Sequence, residues 1–159
     1  MRRANLIFAL IAFLVSVESY ALIEEITIPR SNRNLPETKV SIEDGDTTWS
    51  MSVQDALGLV GLYRLRKADA ESLLATSMKA KEYYDEIIAQ GRCPNATIKS
   101  GTFGKITGYR NQIYFQVVCE KNNIMLSYYF IDKRGIRGLM KKVEWQDLNK
   151  LAKAVLAYY

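Results

Sequence analysis

An α+β fold is predicted for this chain by three features: a long amphipathic stripe of helical period before its middle, alternating apolar and polar residues after it, and a second amphipathic stripe at the carboxyl end. The expected arrangement is an antiparallel β-meander of three to four strands, packed by a preceding long helix and a carboxyl-terminal helix, with one disulfide. Residues 1–21 read as a signal peptide, 22–50 as an extended or flexible amino-terminal arm, and 51–159 as a single α+β domain.

Met1 Arg2 Arg3 opens the chain, and an uncharged run from Ala4 to Val17 follows. A charged start, a short apolar middle and Ser19 Tyr20 Ala21, small residues on both sides of a larger one, make a secretory signal with cleavage after Ala21. The run is shorter than the ~20 apolar residues of an ordinary membrane span, and an uncleaved signal anchor is the alternative. Cleavage would leave 138 of the 159 residues, enough for one domain with a real core.

In the arm, Ile23, Ile26 and Ile28 suit a short strand, while Pro29, Pro36 and the polar residues between them read as exposed chain that orders on a partner. Asp44, Asp46, Thr48 and Asp55 fall at positions 1, 3, 5 and 12 of a calcium loop. The sixth position is Trp49 where glycine is needed, and the last ligand lacks the reach of glutamate, so a solvated acidic turn is expected. Ser52 with Asp55 resembles a capping box before Ala56, Leu57, Val60 and Tyr63. A short helix is expected there, weakened by Gly58 and Gly61.

The long helix should begin near Asp69. Its stripe is Ala70, Leu73, Leu74, Ser77, Ala80, Tyr84, Ile87 and Ile88, and Gly91 closes it. The meander follows, from about Ile98. Between Gln112 and Glu120 the odd residues Ile113, Phe115, Val117 and Cys119 share one face, and the even residues take the other. A turn through Asn122 Asn123 would set Phe115 opposite Phe130, Val117 opposite Tyr128 and Cys119 opposite Leu126. A return through Arg110 Asn111 would set Ile106 opposite Phe115, Gly104 opposite Val117 and Gly108 opposite Ile113, leaving two glycines on the buried face where a helix could pack closely. The spacing of Gly101, Gly104 and Gly108 fits neither phosphate-binding glycine motif. The last helix, about Glu144 to Ala157, offers Trp145, Leu148, Ala152 and Val155 to the core and leaves Lys150 and Lys153 in solvent. No internal repeat is visible in the sequence.

Cys93 and Cys119 are the only cysteines. In an exported chain they are expected to bond, closing a span of 26 positions and stabilising by roughly 2–4 kcal/mol. Free thiols are the alternative, without a Cys-x-x-Cys motif or a histidine to activate them. The Asn95 Ala96 Thr97 sequon matters only in a eukaryotic secretory path.

The chain has no histidine, no Ser-x-x-Lys and no Gly-x-Ser-x-Gly, which removes most nucleophile–base pairs and most transition-metal sites. No catalytic residue, cofactor or metal is expected. Glu82, Asp85 and Glu86 share a helix neighbourhood and define the competing class, a small exported hydrolase working through carboxylates. Beside Lys79 and Lys81 they also suit an exposed charged face.

Charge divides the chain. Residues 22–91 carry 8 basic and 12 acidic groups, and residues 92–159 carry 12 basic and 4 acidic. Lys99, Lys105 and Arg110 accompany the first meander strand, while Arg134, Arg137, Lys141 and Lys142 follow the third. They either face the acidic helix and solvate strand edges or form a surface for a polyanion. The non-core face of the meander, with Tyr114, Gln116, Val118, Ser127, Tyr129 and Ile131 beside Phe103, Lys105 and Thr107, is too apolar for a solvated face. It is a contact patch or a second small core under the arm or the last helix. Candidate binding residues are therefore Tyr114, Tyr129, Lys105, Phe103, Arg134 and Arg137.

Gln116 Val117 Val118 resembles the start of the inhibitory hairpin of the cystatins, and the helix-then-meander order is similar to theirs. The resemblance covers three residues; Cys119 and Glu120 depart from it, and protease inhibition is not carried over. The composite expectation is a small periplasmic or secreted, non-enzymatic binding or assembly protein. Its partner is expected to be another envelope or extracellular protein, or an anionic surface, with no nucleic acid and no stable membrane span after cleavage.

Overall fold

The computed structural model describes residues 23–55, 58–91, 102–107, 111–120, 123–132 and 141–159. Among the described residues the architecture is α+β with two helices and two antiparallel four-stranded sheets. Four strands and a helix occur twice in succession. The long helix therefore does not open the fold, as expected, but joins two meanders.

The first sheet comprises β1 (Glu24–Ile28), β2 (Glu37–Glu43), β3 (Asp46–Asp55) and β4 (Gly58–Leu65), in sequential order. The stretch expected to be an extended arm is thus built into a sheet, and the short helix expected after Ser52 is a strand pair. The alternation that decides this begins upstream: Trp49 and Met51 are buried, while Ser50 and Ser52 are half-exposed. Asp44 (φ 49°) and Gly45 (φ 79°) form the two-residue turn between Glu43 and Asp46, both with the positive φ that such hairpins require. Because Asp46, Thr48 and Asp55 lie along one extended strand, with Asp46 and Asp55 roughly 30 Å apart, they do not converge as a calcium loop would.

One irregularity aims this sheet. Met51 pairs with Leu62 and Trp49 with Leu65, so β4 carries an extra residue between them, where Arg64 has φ 55°. The bulge returns Leu65 to the inner face beside Leu62, and both are buried.

Helix α1 (Lys67–Gln90) starts with the Asp69 carboxylate accepting the Arg66 N–H at 2.8 Å. It ends at Gly91, whose φ of 65° and N–H bond to the Ile88 carbonyl make the expected carboxyl cap. Ala70, Leu73, Ser77, Ala80 and Ile87 are buried as the stripe predicts, Thr76 joins them, and Ile88 is instead 68% exposed. At the last turn the buried arc is only wide enough for Ile87.

The second sheet comprises β5 (Thr102–Thr107), β6 (Asn111–Glu120), β7 (Asn123–Asp132) and β8 (Lys141–Val143). Both predicted registers are displaced by two residues. Phe115 faces Tyr128, Val117 faces Leu126 and Cys119 faces Ile124; Ile106 faces Ile113 and Gly104 faces Phe115. A shift of two preserves every face assignment, since side chains alternate with period two. Starting the turn one position earlier brings Ile124 into the ladder and sets aromatic residues opposite each other. Gly104, expected opposite Val117, instead faces Phe115 next to a bulge between Thr102 and Gly104, and α1 packs against β5. Gly108 and Cys93 lie outside the described residues, as does the side chain of Cys119.

Helix α2 (Trp145–Leu156) buries Leu148, Ala152 and Val155 and leaves Lys150 and Lys153 exposed, as predicted; Leu151 is buried as well, and Trp145, expected in the core, is half-buried. It packs along α1 and reaches β1. Both sheets and both helices contribute to one continuous core, from Val40, Trp49 and Leu62 through Leu73 and Ala80 to Ile113, Phe115 and Leu148. Polar ties cross it. The Asn149 amide donates to Ser77 Oγ (2.9 Å), which donates to the Leu74 carbonyl (2.7 Å). Ser31 Oγ and Asn32 Nδ2 donate to the Asp147 carboxylate, Asn34 Nδ2 donates to the Lys142 carbonyl, and the Tyr128 hydroxyl donates to the Asn34 carbonyl.

Ser77→Ala strands the buried Asn149 amide with only the Met78 sulfur at 3.5 Å. It should lower unfolding free energy by about 1–2 kcal/mol, and a double-mutant cycle with Asn149→Ala in urea should show strong non-additivity. A second expectation concerns alkaline pH. Burial, reinforced by Glu144 and opposed by the Leu126 N–H bond, raises the Tyr84 hydroxyl from 10.0 to about 12, and burial also raises Tyr128. The folded state holds these protons more tightly than the unfolded one. The Tyr84 contribution is complete below pH 10.0 and is lost as pH rises toward about 12. Urea midpoints measured across that window should fall, and Tyr84→Phe should flatten the decline.

Candidate binding face

The outer face of the second sheet is assembled by period-two alternation on four strands. Lys105 pairs with Tyr114, which pairs with Tyr129; Thr107 pairs with Gln112, and Gln112 with Ile131; Gln116 pairs with Ser127, and Ser127 with Lys142. The corrected register therefore places the two predicted tyrosines directly opposite each other, where Tyr114 was expected opposite Ile131 and Gln116 opposite Tyr129. Their rings stack with centroids 5.5 Å apart at 14°. Lys105 Nζ lies 5.6 Å from the Tyr114 centroid, and the Tyr114 hydroxyl donates to Gln112 Oε1.

Exposure is graded across this face. Lys105, Thr107 and Lys142 are exposed, Gln112, Tyr114, Gln116, Tyr129 and Ile131 are half-buried, and Ser127 is 1% exposed. Its Oγ has no hydrogen-bond partner. The arm, which with the last helix is the alternative cover for this face, is built into the first sheet, and α2 lies against α1 and β1. Among the described side chains of this face there is no carboxylate.

Of the predicted binding residues, the structure brings together Tyr114, Tyr129 and Lys105. Phe103 sits in the β5 bulge region with its side chain outside the described residues, as are Arg134 and Arg137. Gln112, Ser127 and Lys142 join the face without having been singled out as site residues. The even-numbered alternation through 112, 114 and 116 already contained the signal for Gln112. Gln116 Val117 Val118, the cystatin-like fragment, lies inside β6 and pairs with Ser127, Leu126 and Met125, so it forms no hairpin tip.

The helix carboxylates are arranged differently. Glu82, Asp85 and Glu86 are exposed on α1, and Asp85 pairs with Lys81 one turn back. Lys81 also lies 5.8 Å from the Trp145 centroid, linking the two helices. Among the described residues no three Cys, Asp or Glu converge in a way that could hold a metal ion, and no helix is long and apolar enough to cross a membrane.

The chain matches no protein-family model and no curated protein sequence.

A double-mutant cycle measures the aromatic ladder directly. Tyr114→Ser and Tyr129→Ser should each destabilise by about 1 kcal/mol, with a coupling of roughly 0.5–1.5 kcal/mol beyond area burial. Urea denaturation of the two single variants and the double variant checks this; zero coupling means the rings do not stack in solution.

Proposed function

We propose that the chain is a small exported, non-enzymatic binding or assembly protein of the cell envelope or exterior, acting through the outer face of its second sheet. The observation that carries the reading is the Lys105–Tyr114–Tyr129 ladder, which is partly exposed although its side chains would fill a core. Aromatic rings supply contact area at low entropic cost, and adjacent cations steer a partner, a composition enriched at protein interfaces. Absence of histidine from the sequence supports binding over catalysis. Export after cleavage at Ala21, into the periplasm or outside the cell, rests on the charged and apolar start of the chain. In that compartment Cys93 and Cys119 would form a disulfide.

Capture from the native envelope tests the binding face. The mature chain should retain a partner that the Tyr114→Ser/Tyr129→Ser double variant loses while still unfolding cooperatively. If the double variant holds the same partner equally well, the face is not the site. Intact and reduced mass spectrometry of protein from its native compartment should find residues 1–21 missing and no alkylatable thiol before reduction. Retention of that segment, or two free thiols, would overturn the corresponding half.

A further inference from the structure

The binding face, taken as proposed above, also carries information on the chemistry of its partner. Tyr114 stands on β6 between two neighbours: Lys105 from β5 lies over its ring on one side, and the Tyr129 ring from β7 stacks on the other. Both faces of this aromatic ring are occupied. A nucleobase binds by stacking on an open ring face, and a sugar ring packs there as well, so Tyr114 is unsuited to either. What it turns outward is an electropositive ring edge, with its hydroxyl proton committed to Gln112.

Charge on the face has one sign. Lys105 and Lys142 are exposed on β5 and β8, and the described side chains between them include no carboxylate. Three strand spacings and a two-residue offset separate these lysines, roughly 15 Å. An extended peptide places residues i and i+4 about 13–14 Å apart, which lets two of its carboxylates reach the two ammonium groups together. Ser127, buried and with no partner for its Oγ, lies in register between Gln116 and Lys142 and offers a donor to a group that enters there.

We infer that the outer face of the second sheet binds an extended acidic polypeptide segment, held by Lys105 and Lys142 across the tyrosine ladder. A lipid surface is the weaker fit, because insertion needs protruding aliphatic groups and Ile131, the aliphatic side chain described here, is half-buried.

The test uses the mature full-length protein and a labelled ten-residue peptide of alternating Glu and Ser, with a Gln-for-Glu counterpart. The acidic peptide should bind at least about tenfold more tightly than its neutral counterpart and weaken with added salt. Lys105→Gln/Lys142→Gln should cost about tenfold, whereas Lys150→Gln/Lys153→Gln, which removes equal charge from the exposed side of α2, should change affinity less than about twofold. Equal binding of both peptides, or equal loss in both variants, overturns the inference. So does tighter binding to phosphatidylglycerol vesicles or to oligo(dT) under the control of Lys105 and Lys142. The native partner separates the two readings. If capture depends on Tyr114 and Tyr129 but not on Lys105 and Lys142, the binding face stands and the acidic segment falls. If capture depends on neither pair, the face itself falls.

Discussion

The close approach of α1 to α2 holds the two sheets to one core. Ala70, Ser77 and Ala80 on α1 and Ala152 on α2 are fully buried, and such small side chains let helix backbones come near each other. Neither four-stranded sheet can bury its apolar face against itself. Each needs a cover, and the helix pair presents one surface to strands of both sheets. The Ser77–Asn149 bond sits in this contact and fixes the rotational setting of one helix against the other, because a displaced pair would take from the buried Asn149 amide its oxygen acceptor.

The remaining ties follow from that arrangement. Once α2 lies along α1, its first turn carries Asp147 to Ser31 and Asn32, and β8, just before it, presents the Lys142 carbonyl to Asn34. The β1–β2 connection thereby gains partners from the other half of the chain. At the opposite end, Trp49 donates to the Arg66 carbonyl and the Tyr159 hydroxyl donates to the Thr47 carbonyl. The first sheet is pinned at both its ends to elements far away in sequence. Such long-range pairing makes the order of the segment 24–43 invisible to local pattern, since its few apolar residues alone would not stabilise an isolated hairpin.

The second sheet has a different division of labour. Its inner face supplies Ile106, Ile113, Phe115, Leu126, Tyr128 and Phe130 to the core. Its outer face is left with rings that stack on one another and lysines that remain in water. Aromatic pairing across strands stabilises the sheet on the side that has no helix over it among the described elements.

Read alone, the chain determined the helices at 67–90 and 145–156, the strand character of residues 102–107, 111–120 and 123–132 and which side chains share a face, because these depend on periods of 3.6 and 2.0 that survive any tertiary context. Gly91 as a carboxyl cap and Tyr114 with Tyr129 on one face were legible for the same reason. The reading failed between 24 and 65. There Ser52 and Asp55 mimicked a helix start, and Pro29 and Pro36 suggested exposed chain, although the alternation at Trp49–Met51 was already a sign of a strand and the glycines at 58 and 61 argued against a helix. Only the tertiary structure decided that this stretch is a sheet, that β4 bulges at Arg64 to turn Leu65 inward, and that both hairpin registers sit two residues from the expected ones. Local sequence constrains the face of a strand through its alternation, but a shift of two residues leaves that alternation unchanged. The choice of register therefore falls to packing across strands, where Phe115 meets Tyr128 and Tyr114 meets Tyr129.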